Sequence, residues 1–522
     1  MSDSPKNEKV AGNNGDVDVD SEVAVPSSRA AWFGGNNVKV GPRIGPVITG
    51  ISIDSDSDES SATILEKQLA QEDGCAIQYR TCSWQKTAAL LFSEYICLAM
   101  MSFPWSYSIL GLVPGLILTV VVAAFVLYTS LVLWEFCLRH PEVRDVCDIG
   151  QMLFWNKKWA WYATAFMFIL NNTGLHVLVG AKYLNTMTAS DNNVACRTVS
   201  FGVIMFIICW ICSLPRTFSM LSKLGTASAF FTFVSVLLAT IFAGIESHPA
   251  GFDPRPSFMT ADGTPAVGGN PIVTALPVAG TTFVAALNAF MNISYTFIGQ
   301  ITLPSFIAEM RDPREFPKAL WACTIAEIVL FSIVGGVVYA YTGNQYMTSP
   351  AFGSLEPLYK KVSFSFMIPT LIFLGVLYAS VSARFVFFRL FDNTRHKNEH
   401  TVFGWAVWTL ILLATWILAF IIAEVIPFFS DLLSLMSSLF DSFFGFIFWG
   451  VAYFRMRKAD GGIELLKERS FTAILLALLN FFIILIGLFF LTAGTYASVQ
   501  SIVDAFNDGQ VGGVFSCASN GL

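Results

Sequence analysis

Long apolar runs separated by short polar segments make up most of the chain after Lys86. Each of eleven runs carries about the 17–25 apolar residues that a helix needs to cross a hydrocarbon core of ~30 Å, with the fourth run marginal. The sequence therefore predicts an all-α membrane protein with eleven transmembrane helices, numbered here as spans one to eleven. The spans are residues 86–111, 113–138, 159–184, 199–215, 221–245, 278–306, 318–343, 367–391, 402–425, 428–454 and 471–496.

The stretch 402–454 is assigned to two spans rather than one. As a single helix it would run roughly 80 Å at ~1.5 Å per residue, far beyond a bilayer. Pro427, with Glu424 and Asp431 on either side of it, marks a tight turn in the middle of the stretch. Spans nine and ten are therefore predicted to be joined by this turn.

The regions outside the spans differ in composition from the spans. Residues 1–83 are rich in Gly, Ser, Asn and Asp and include an acidic serine cluster at 54–59, so they cannot bury enough apolar surface to offset the entropy of ordering. We expect a disordered acidic tail that stays in the cytosol, because the pattern of a signal or transit peptide is missing. Residues 84–496 form the predicted eleven-helix membrane domain, and residues 497–522 form a short tail on the outer side.

The composition excludes two classes of protein. With 54% hydrophobic residues, 13% charged residues and a mean hydropathy of +0.61, the chain is not an ordinary soluble globular protein. Its net charge is -6, and residues 1–86 hold 13 acidic against 8 basic residues, so the membrane domain is almost neutral. Since no basic patch larger than a loop is present, nucleic-acid binding is excluded.

The distribution of Lys and Arg predicts the orientation, because these residues concentrate in cytoplasmic loops. With the N-terminus inside, the inner segments hold 26 of the 31 Lys and Arg residues and the outer segments hold 5. An error of one span would disrupt the alternation that follows it. We therefore place the N-terminus in the cytosol and the C-terminus outside.

The ten cysteines indicate no metal site. Cys209 and Cys212 form a C-x-x-C inside an apolar span without further ligands, which favours packing. Cys196 and Cys517 fall on the outer, oxidising side, where the two can pair.

Ionisable residues within apolar spans are costly and mark candidate functional sites. Glu94 in span one, His176 in span three, Glu327 in span seven and Asp441 in span ten are such residues. For each of them the alternative is a hydrogen bond between helices with a structural role only. Glu94 is the strongest candidate because of the residues around it.

Two spans contain features that interrupt a helix. In span one Pro104 removes a backbone hydrogen bond one turn back and disfavours helix at Phe103, so a break is predicted between Met100 and Phe103. Span six has polar and glycine residues in its middle. Spans one and six are five apart, which favours a five-plus-five inverted repeat with a substrate site between two discontinuous helices, against a simple kink and a polar packing helix. The residues in span six are Asn288, Asn292, Ser294, Tyr295, Thr296, Gly299 and Gln300.

At these residues the sequence resembles the amino acid/auxin permease family, in particular its fungal neutral amino-acid permeases, over roughly residues 84–496. The resemblance implies a LeuT-type fold with one extra helix, secondary active uptake of amino acids and, for fungal members, coupling to protons. It rests on Glu94 with Ala99, Met100, Met101, Ser102, Phe103, Pro104 and Gly111; on His140-Pro141 with Asp145 and Asp148-Ile149-Gly150; on Glu309-Met310-Arg311-Asp312-Pro313 with Phe316-Pro317-Lys318-Ala319-Leu320; and on Tyr378-Ala379-Ser380-Val381-Ser382-Ala383-Arg384.

Two departures from the family pattern lie near the expected site. Many relatives have glycine where this chain has Ala99, followed here by the bulkier Met100 and Met101, and many have Gly-His where this chain has Gly299-Gln300. The substrate range and the coupling ion therefore do not carry over from the family.

The hypothesis for the substrate site is a pocket for a neutral amino acid between spans one and six. The substrate carboxylate is expected on the backbone N–H groups of Ser102 and Phe103, with the Ser102 hydroxyl as a further donor. The ammonium is expected on the carbonyls of residues 99–101 and on the side chains of Asn292 and Ser294. Two aromatic residues of span six either shape the side-chain pocket or only pack, namely Tyr295 and Phe297.

For ion coupling, the hypothesis places the proton on Glu94. Ser380 and Ser382 of span eight are candidates for binding Na+ or water, and His176 is either a second titrating group or a structural histidine. Arg384 is expected to be an anchor or gate residue. No cofactor is predicted: a proton gradient is the driving force, and sodium is not excluded.

Three alternatives to a symporter remain: a facilitative channel or exporter, a nutrient receptor and, least favoured, a membrane enzyme. We favour the plasma membrane over the vacuolar membrane. The tail is a candidate target of kinases at Ser55, Ser57, Ser60 and Ser61 and of ubiquitination at Lys6, Lys9, Lys39 and Lys67, against the alternative of an inert tail. The particular amino acid, the direction of transport and the oligomeric state do not follow from the sequence.

Overall fold

The structure is a computed structural model in which the described part of the chain is helical and contains no strand. For residues 171–173, 218–224, 226 and 388 it describes the backbone alone. The described residues are 33–35, 38, 40–45, 80, 82–188, 197–216, 218–254, 268–391, 394, 396, 401–461, 471–509, 514, 515 and 517.

The helices follow one another along the chain with short connections. In order they are α1 Trp84–Tyr95, a 3-10 turn Leu98–Ser102, α2 Phe103–Leu110, α3 Leu112–Arg139, α4 Val146–Leu153, α5 Lys158–Met187, α6 Arg197–Ser213, α7 Phe218–Ile245, α8 Phe283–Phe297, α9 Leu303–Glu309, α10 Phe316–Thr342, α11 Pro357–Leu390, α12 Val402–Val425, α13 Phe429–Met436, a π-helix Ser437–Ile447, α14 Phe448–Ala459, α15 Phe471–Phe489, a π-helix Phe490–Gly494 and α16 Thr495–Asn507.

Eight stretches of the described chain are long and apolar enough to cross a membrane, or nine when the bent pair α1 and α2 counts as one. Two further apolar helices, α6 and α8, are shorter. These eleven stretches coincide with the eleven predicted spans. The structure therefore supports a multi-pass, all-helical protein, while the number of crossings stays a prediction because α6 and α8 fall below the length of a full span.

The turn at Pro427 separates α12 from α13, as the sequence predicts. Span ten is not one regular helix, however, because the π-helical segment 437–447 lies between α13 and α14. Span eleven likewise changes to a π-helix and continues as α16 to Asn507, past the boundary predicted at 496.

Polar contacts join the helices that surround the centre of the molecule. Helix α11 packs against α7 and α5, and α10 packs against α1, α2 and α3. The Thr232 hydroxyl donates to Thr370 Oγ1 at 2.7 Å, the Thr370 hydroxyl donates to the Ser228 carbonyl at 2.9 Å, and the Ser235 hydroxyl donates to the Ser363 carbonyl at 2.6 Å, so three bonds join α7 to α11. Bonds of this kind hold helices together where lipid provides no hydrophobic driving force.

A network of charges closes the end of the molecule at which α3 and α14 finish. Arg139, 1% exposed, donates from Nη1 to Asp460 Oδ1 at 2.6 Å and from Nη2 to Glu135 Oε1 at 2.6 Å. Arg457 pairs with the same two carboxylates. The C-terminal ends of α3 and α14 are therefore joined by four alternating charges.

Part of the N-terminal segment lies against this end, and we name the described residues 33–35, 38 and 40–45 the N-terminal strap. Arg43 pairs with Glu142, and the Ile44 N–H donates to His140 Nε2 at 3.1 Å. Because Nε2 accepts, the ring proton is on Nδ1, which lies 3.3 Å from Glu142 Oε1. Burial acts to raise the pKa of Glu142, but the bond from His140 and the charge of Arg43 hold it below its ordinary value.

The strap also reaches the beginning of α10. Phe33 stacks on Trp321 with ring centroids 5.4 Å apart, and the Gly35 N–H donates to the Arg314 carbonyl at 3.1 Å. The strap therefore contacts both the exit of α3 and the start of α10. Ser55, Ser57, Ser60 and Ser61 with Lys6, Lys9, Lys39 and Lys67, the predicted modification sites, lie outside the described residues.

Replacing Arg139 by methionine is expected to destabilise the protein strongly. The change leaves Asp460, 10% exposed, with Arg457 as its remaining partner, and breaking a buried pair costs up to about 3–5 kcal/mol. The measurement is thermal unfolding of the purified protein in detergent. The control is Lys318→Met, whose pair with Glu315 is 41% and 33% exposed and is worth about 0–1 kcal/mol. Equal losses in both variants would contradict the role given to Arg139.

Candidate substrate and coupling site

Span one is broken into two helices that meet at an angle of 42°. Helix α1 ends at Tyr95, and the backbone leaves helical geometry at Ile96 and Cys97. The break therefore begins before the predicted position at Met100. Phe103 is in the right-handed helical region (φ -59°, ψ -46°), so the prediction that Pro104 disfavours helix there is wrong.

The position of Pro104 explains the difference. It lies in the first turn of α2, where its missing N–H costs nothing and its fixed φ suits a helix start. The proline therefore begins the second helix rather than interrupting it. The chain compensates upstream with a 3-10 turn over residues 98–102, in which the Ser102 hydroxyl donates to the Ala99 carbonyl at 2.7 Å.

Span six is broken in a similar way. Helix α8 begins at the Thr282 cap and ends at Phe297, the backbone is extended at Ile298, and α9 begins at Leu303 with a proline in its first turn. The Thr302 N–H donates to the Gly299 carbonyl at 3.1 Å, which closes a tight turn within the break. Both interrupted spans therefore restart at a Pro-containing helix.

The two breaks lie against each other. A Cβ atom added at Gly299 would lie 2.5 Å from the ring of Tyr95, so only glycine permits this approach. A hydrogen bond joins the Tyr95 hydroxyl to the Gly299 backbone. The last residue of α1 thus supplies a partner for backbone that the break in span six has freed, as backbone at membrane depth requires.

Glu94 connects the same two breaks to span eight. Its Oε1 accepts from the Thr302 hydroxyl at 2.7 Å and from the Tyr378 hydroxyl at 3.2 Å. Its Oε2 is buried and has no hydrogen-bond partner within the described chain, and the residue is 3% exposed. One oxygen of this carboxyl group is therefore held in place, and the other remains open to a further ligand.

A cavity lies beside Glu94, between the two breaks and the helices α5 and α11. Its volume of about 60 Å³ is well below the ~150 Å³ of a cavity that holds benzene, so an amino acid needs it to expand. The polar and backbone part of its lining comes from Glu94, Tyr95, Cys97, Ala99, His176, Tyr295, Thr296, Gly299, Thr370 and Tyr378, and the apolar part from Leu98, Leu175, Ile298, Ile301, Met367, Leu371 and Leu374.

Of the predicted substrate residues, Ala99 and Tyr295 line this cavity, and the others do not. The Phe103 N–H, expected to bind a carboxylate, donates instead to the Met100 carbonyl. Those that do not line the cavity are Met100, Met101, Ser102, Phe103, Asn292, Ser294 and Phe297.

The polar side chains of α8 bond mainly within their own helix. Asn292 Nδ2 donates to the Asn288 carbonyl at 3.0 Å, and the Ser294 hydroxyl donates to the Phe290 carbonyl at 3.2 Å. Asn292 Oδ1 is buried and has no partner within the described residues. These groups support the helix next to the cavity rather than its wall.

Phe297 belongs to an aromatic cluster behind the breaks. Its ring centroid lies 6.0 Å from that of Phe103 and 5.1 Å from that of Phe331. The cluster joins α8, α2 and α10. For Phe297 the structure therefore favours the packing alternative.

Of the predicted coupling residues, Glu94 and His176 line the cavity. The His176 ring donates to the Leu371 carbonyl and lies 5.8 Å from the Tyr378 ring, so its contacts lead back to Glu94 through one tyrosine. Ser380 and Ser382 are buried behind the lining, and their hydroxyls have no partner among the described residues.

Arg384 and Asp441 lie elsewhere. The Arg384 guanidinium donates to the Arg216 carbonyl at 3.0 Å, which joins α11 to the end of α6. Asp441 lies on the π-helix of span ten and is outside the cavity lining. Cys517 is disulfide-bonded, but Cys196 lies outside the described residues, so their pairing stays a prediction.

Sequence reasoning missed the three residues that build the site around Glu94. Tyr95, Thr302 and Tyr378 come from three separate spans and meet only in the folded protein. The available signals were weak: Tyr95 follows Glu94 directly, Thr302 closes the turn after Gly299, and Tyr378 begins the span-eight stretch that carries the family resemblance.

Comparison with known proteins agrees with this architecture. The family model described as transmembrane amino acid transporter protein matches residues 80–500. The chain belongs to this family. It is an integral, multi-pass membrane protein and a transporter rather than an enzyme.

Fungal relatives match this transporter over most of their length. It is 31% identical over 459 residues to the N amino acid transport system protein of Neurospora crassa, which covers 87% of this chain and 92% of the relative. It is 28% identical to a transmembrane transporter of Gibberella moniliformis and 28% identical to one of Fusarium pseudograminearum, with 91% and 90% of those chains covered.

A solved structure of a Na+-coupled sialic acid symporter in a substrate-bound, outward-open state is also similar to the transporter. It covers 86% of this chain and 98% of its own, with 12% identity and a TM-score of 0.45. A similarity at this level bears on neither the coupling ion nor the substrate.

Replacing Gly299 by alanine is expected to reduce transport by about tenfold or more, because overpacking against the Tyr95 ring costs about 1–3 kcal/mol. The measurement is the initial rate of amino-acid uptake, corrected for the amount of protein in the membrane. The matched control is Gly336→Ala, where the nearest atom to the new methyl group, Leu112 Cδ1, is 3.9 Å away. If Gly299→Ala transports as well as Gly336→Ala, the contact between the breaks is not needed for transport.

Proposed function

We propose that this chain is a proton-coupled symporter that imports neutral amino acids by alternating access. The proposal rests on one observation above all: Glu94, at the contact between two broken spans, has a fixed oxygen and a buried, unpartnered oxygen beside the cavity, within the part of the chain that the structure describes. A buried carboxyl group in such a position is suited to loading and releasing a proton. The N amino acid transport system protein of Neurospora crassa, by its name, transports amino acids.

The lining of the cavity favours a neutral side chain. Apart from tyrosines and a cysteine, its ionisable residues are Glu94 and His176. An acidic substrate side chain would meet no Lys or Arg in this lining, which includes seven apolar side chains. Burying an unpaired charge is costly, so an uncharged side chain is the better fit.

The substrate backbone is assigned to the unwound segments. The proposed carboxylate and ammonium partners are the backbone of residues 98–102 and of Gly299, with Ala99 and Tyr295 at the cavity wall. Ser102, Met100, Met101, Asn292 and Ser294 join the site as the cavity widens. The substrate thereby takes the place of bonds that the unwound segments make within themselves, such as that from the Phe103 N–H to Met100.

The proposed transport cycle uses an inverted repeat of five plus five spans with span eleven added. Spans one and six then occupy equivalent positions in the two halves, and the half-helices α2 and α9 start at the shared site. One repeat rocks against the other and exposes the site to each side in turn. The N-terminus is placed in the cytosol by the charge distribution, and the plasma membrane is the proposed location.

Coupling to sodium is the alternative to coupling to protons. The buried hydroxyls of Ser380 and Ser382, which lack partners among the described residues, are oxygen ligands that a hard cation can use. Proton and sodium gradients imposed separately distinguish the two. Kinases and ubiquitin ligases acting on the tail remain proposed partners.

The test is uptake of a labelled panel of neutral amino acids by the protein in sealed vesicles, with the pH gradient and the sodium gradient imposed one at a time. An inward proton gradient is expected to drive accumulation of the substrate. Glu94→Gln is expected to abolish this accumulation while exchange of substrate across the membrane continues, because the amide keeps an acceptor for Thr302 but cannot load a proton.

The matched control is Glu424→Gln, which makes the same chemical change at a buried carboxyl group near the end of α12, outside the cavity lining. Its accumulation should equal that of the unaltered protein. Sodium-driven accumulation would contradict proton coupling. Uptake without any gradient dependence would indicate a facilitator, and binding without uptake would indicate a receptor.

A further inference from the structure

A second carboxyl group lies near Glu94, outside the cavity lining. Glu327, on α10, is 3% exposed, and its Oε1 accepts from the thiol of Cys323, one turn earlier in the helix, at 3.1 Å. The proposed mechanism makes no use of it. A fully buried carboxyl group in an apolar helix still requires a physical explanation.

The packing of α1 along α10 brings the two carboxyl groups near each other. Their charges repel each other, and Tyr95 and Cys323 each lie within the electrostatic influence of both. The two acids therefore lie on opposite sides of one helix–helix contact, next to the residue that touches Gly299.

No cation neutralises this pair among the residues that the structure describes. None of the ion pairs there includes Glu94 or Glu327. The titratable groups that face the pair from the surrounding elements are Tyr95 of α1, Cys97 of the break, Cys323 of α10, Tyr378 of α11, and, across the cavity, Tyr295 of α8 and His176 of α5.

Two neighbouring carboxyl groups in an apolar environment cannot both be ionised without strong repulsion. Such a pair binds protons as a unit, in steps that belong to neither group alone. An independent observation indicates where the proton enters: Glu94 lines the cavity, and its Oε2 is buried and has no partner within the described chain. Glu327, beyond it, has no contact with the cavity.

We propose that Glu327 is a second proton-exchanging residue, which holds the coupling proton jointly with Glu94 across the contact between α1 and α10. The proton arrives from the outer solution at Glu94, the pair then carries one proton and one negative charge, and the same proton leaves towards the cytosol with the substrate. The only bond that forms and later breaks is the one between this proton and a carboxyl oxygen. This inference rests on the proposed proton symport and adds a residue to it.

The shared proton explains how proton binding is coupled to the conformation of the substrate site. Without it, the two charges repel and push α1 away from α10; with it, the repulsion is lost and the helices close. Since Tyr95 at the end of α1 contacts Gly299, closing this helix contact positions both breaks. Proton loading thus favours the conformation in which the substrate site is assembled.

The test is the pH dependence of the uptake rate in vesicles, at saturating substrate, for the unaltered protein and for Glu327→Gln. Removing the neighbouring charge lets Glu94 give up its proton more readily, so the midpoint of the pH profile should move to lower pH by about one unit or more. Glu94→Gln and the double variant should both lack proton-driven accumulation. Glu424→Gln again serves as the matched control and should leave the midpoint unchanged.

The outcomes separate this inference from the proposed function. If the unaltered protein is proton-driven and Glu327→Gln keeps the midpoint of Glu424→Gln, the shared proton is wrong while proton symport stands. If uptake by the unaltered protein does not depend on protons, both fail. If Glu327→Gln does not fold, Glu327→Asp replaces it. The shorter side chain keeps the charge but holds it farther from Glu94, so the midpoint of the pH profile should move to lower pH by less than in Glu327→Gln. An unchanged midpoint overturns the proposal.

Discussion

The contact between Tyr95 and Gly299 is the constraint on which the rest of the site depends. A helix broken inside a bilayer frees backbone groups that lipid cannot satisfy, so a break persists only where protein supplies partners. Here the Tyr95 hydroxyl at the end of α1 supplies a partner for the Gly299 backbone in the break of span six, and glycine permits the close approach. Moving either break along its span would separate these partners.

Glu94 adds a second set of contacts at the same place. Bonds from Thr302 and Tyr378 bring together spans one, six and eight, and the aromatic cluster of Phe103, Phe297 and Phe331 packs behind them. The apolar cluster supplies a rigid wall, while the polar contacts can be exchanged for contacts with a ligand. A transporter needs both properties at one site: a scaffold that keeps its geometry and bonds that a substrate can replace.

The sequence predicts the long helices well because they depend on local hydropathy, and Glu94 and the predicted interruption of span six both lie at the cavity. It misplaces the break in span one. A proline disrupts a helix interior but is well tolerated in the first turn of a helix, and the sequence alone does not show which of these positions Pro104 occupies. Tyr95, Thr302 and Tyr378 escape prediction because their roles arise from contacts between distant spans. The strap contacts of Arg43 and Phe33 escape it for the same reason, since the surrounding composition is that of an unstructured tail.

The N-terminal strap has a thermodynamic consequence. It contacts the exit of α3 through Arg43 and Ile44. It also contacts the start of α10 through Phe33 and Gly35, so it connects these two elements. A conformation that separates these elements has to give up one set of contacts, and the free energy of the strap then differs between the two states. By thermodynamic linkage, the conformation affects attachment of the strap by the same free energy with which attachment of the strap affects the conformation. Whatever detaches the strap therefore favours the state in which these two elements are separated.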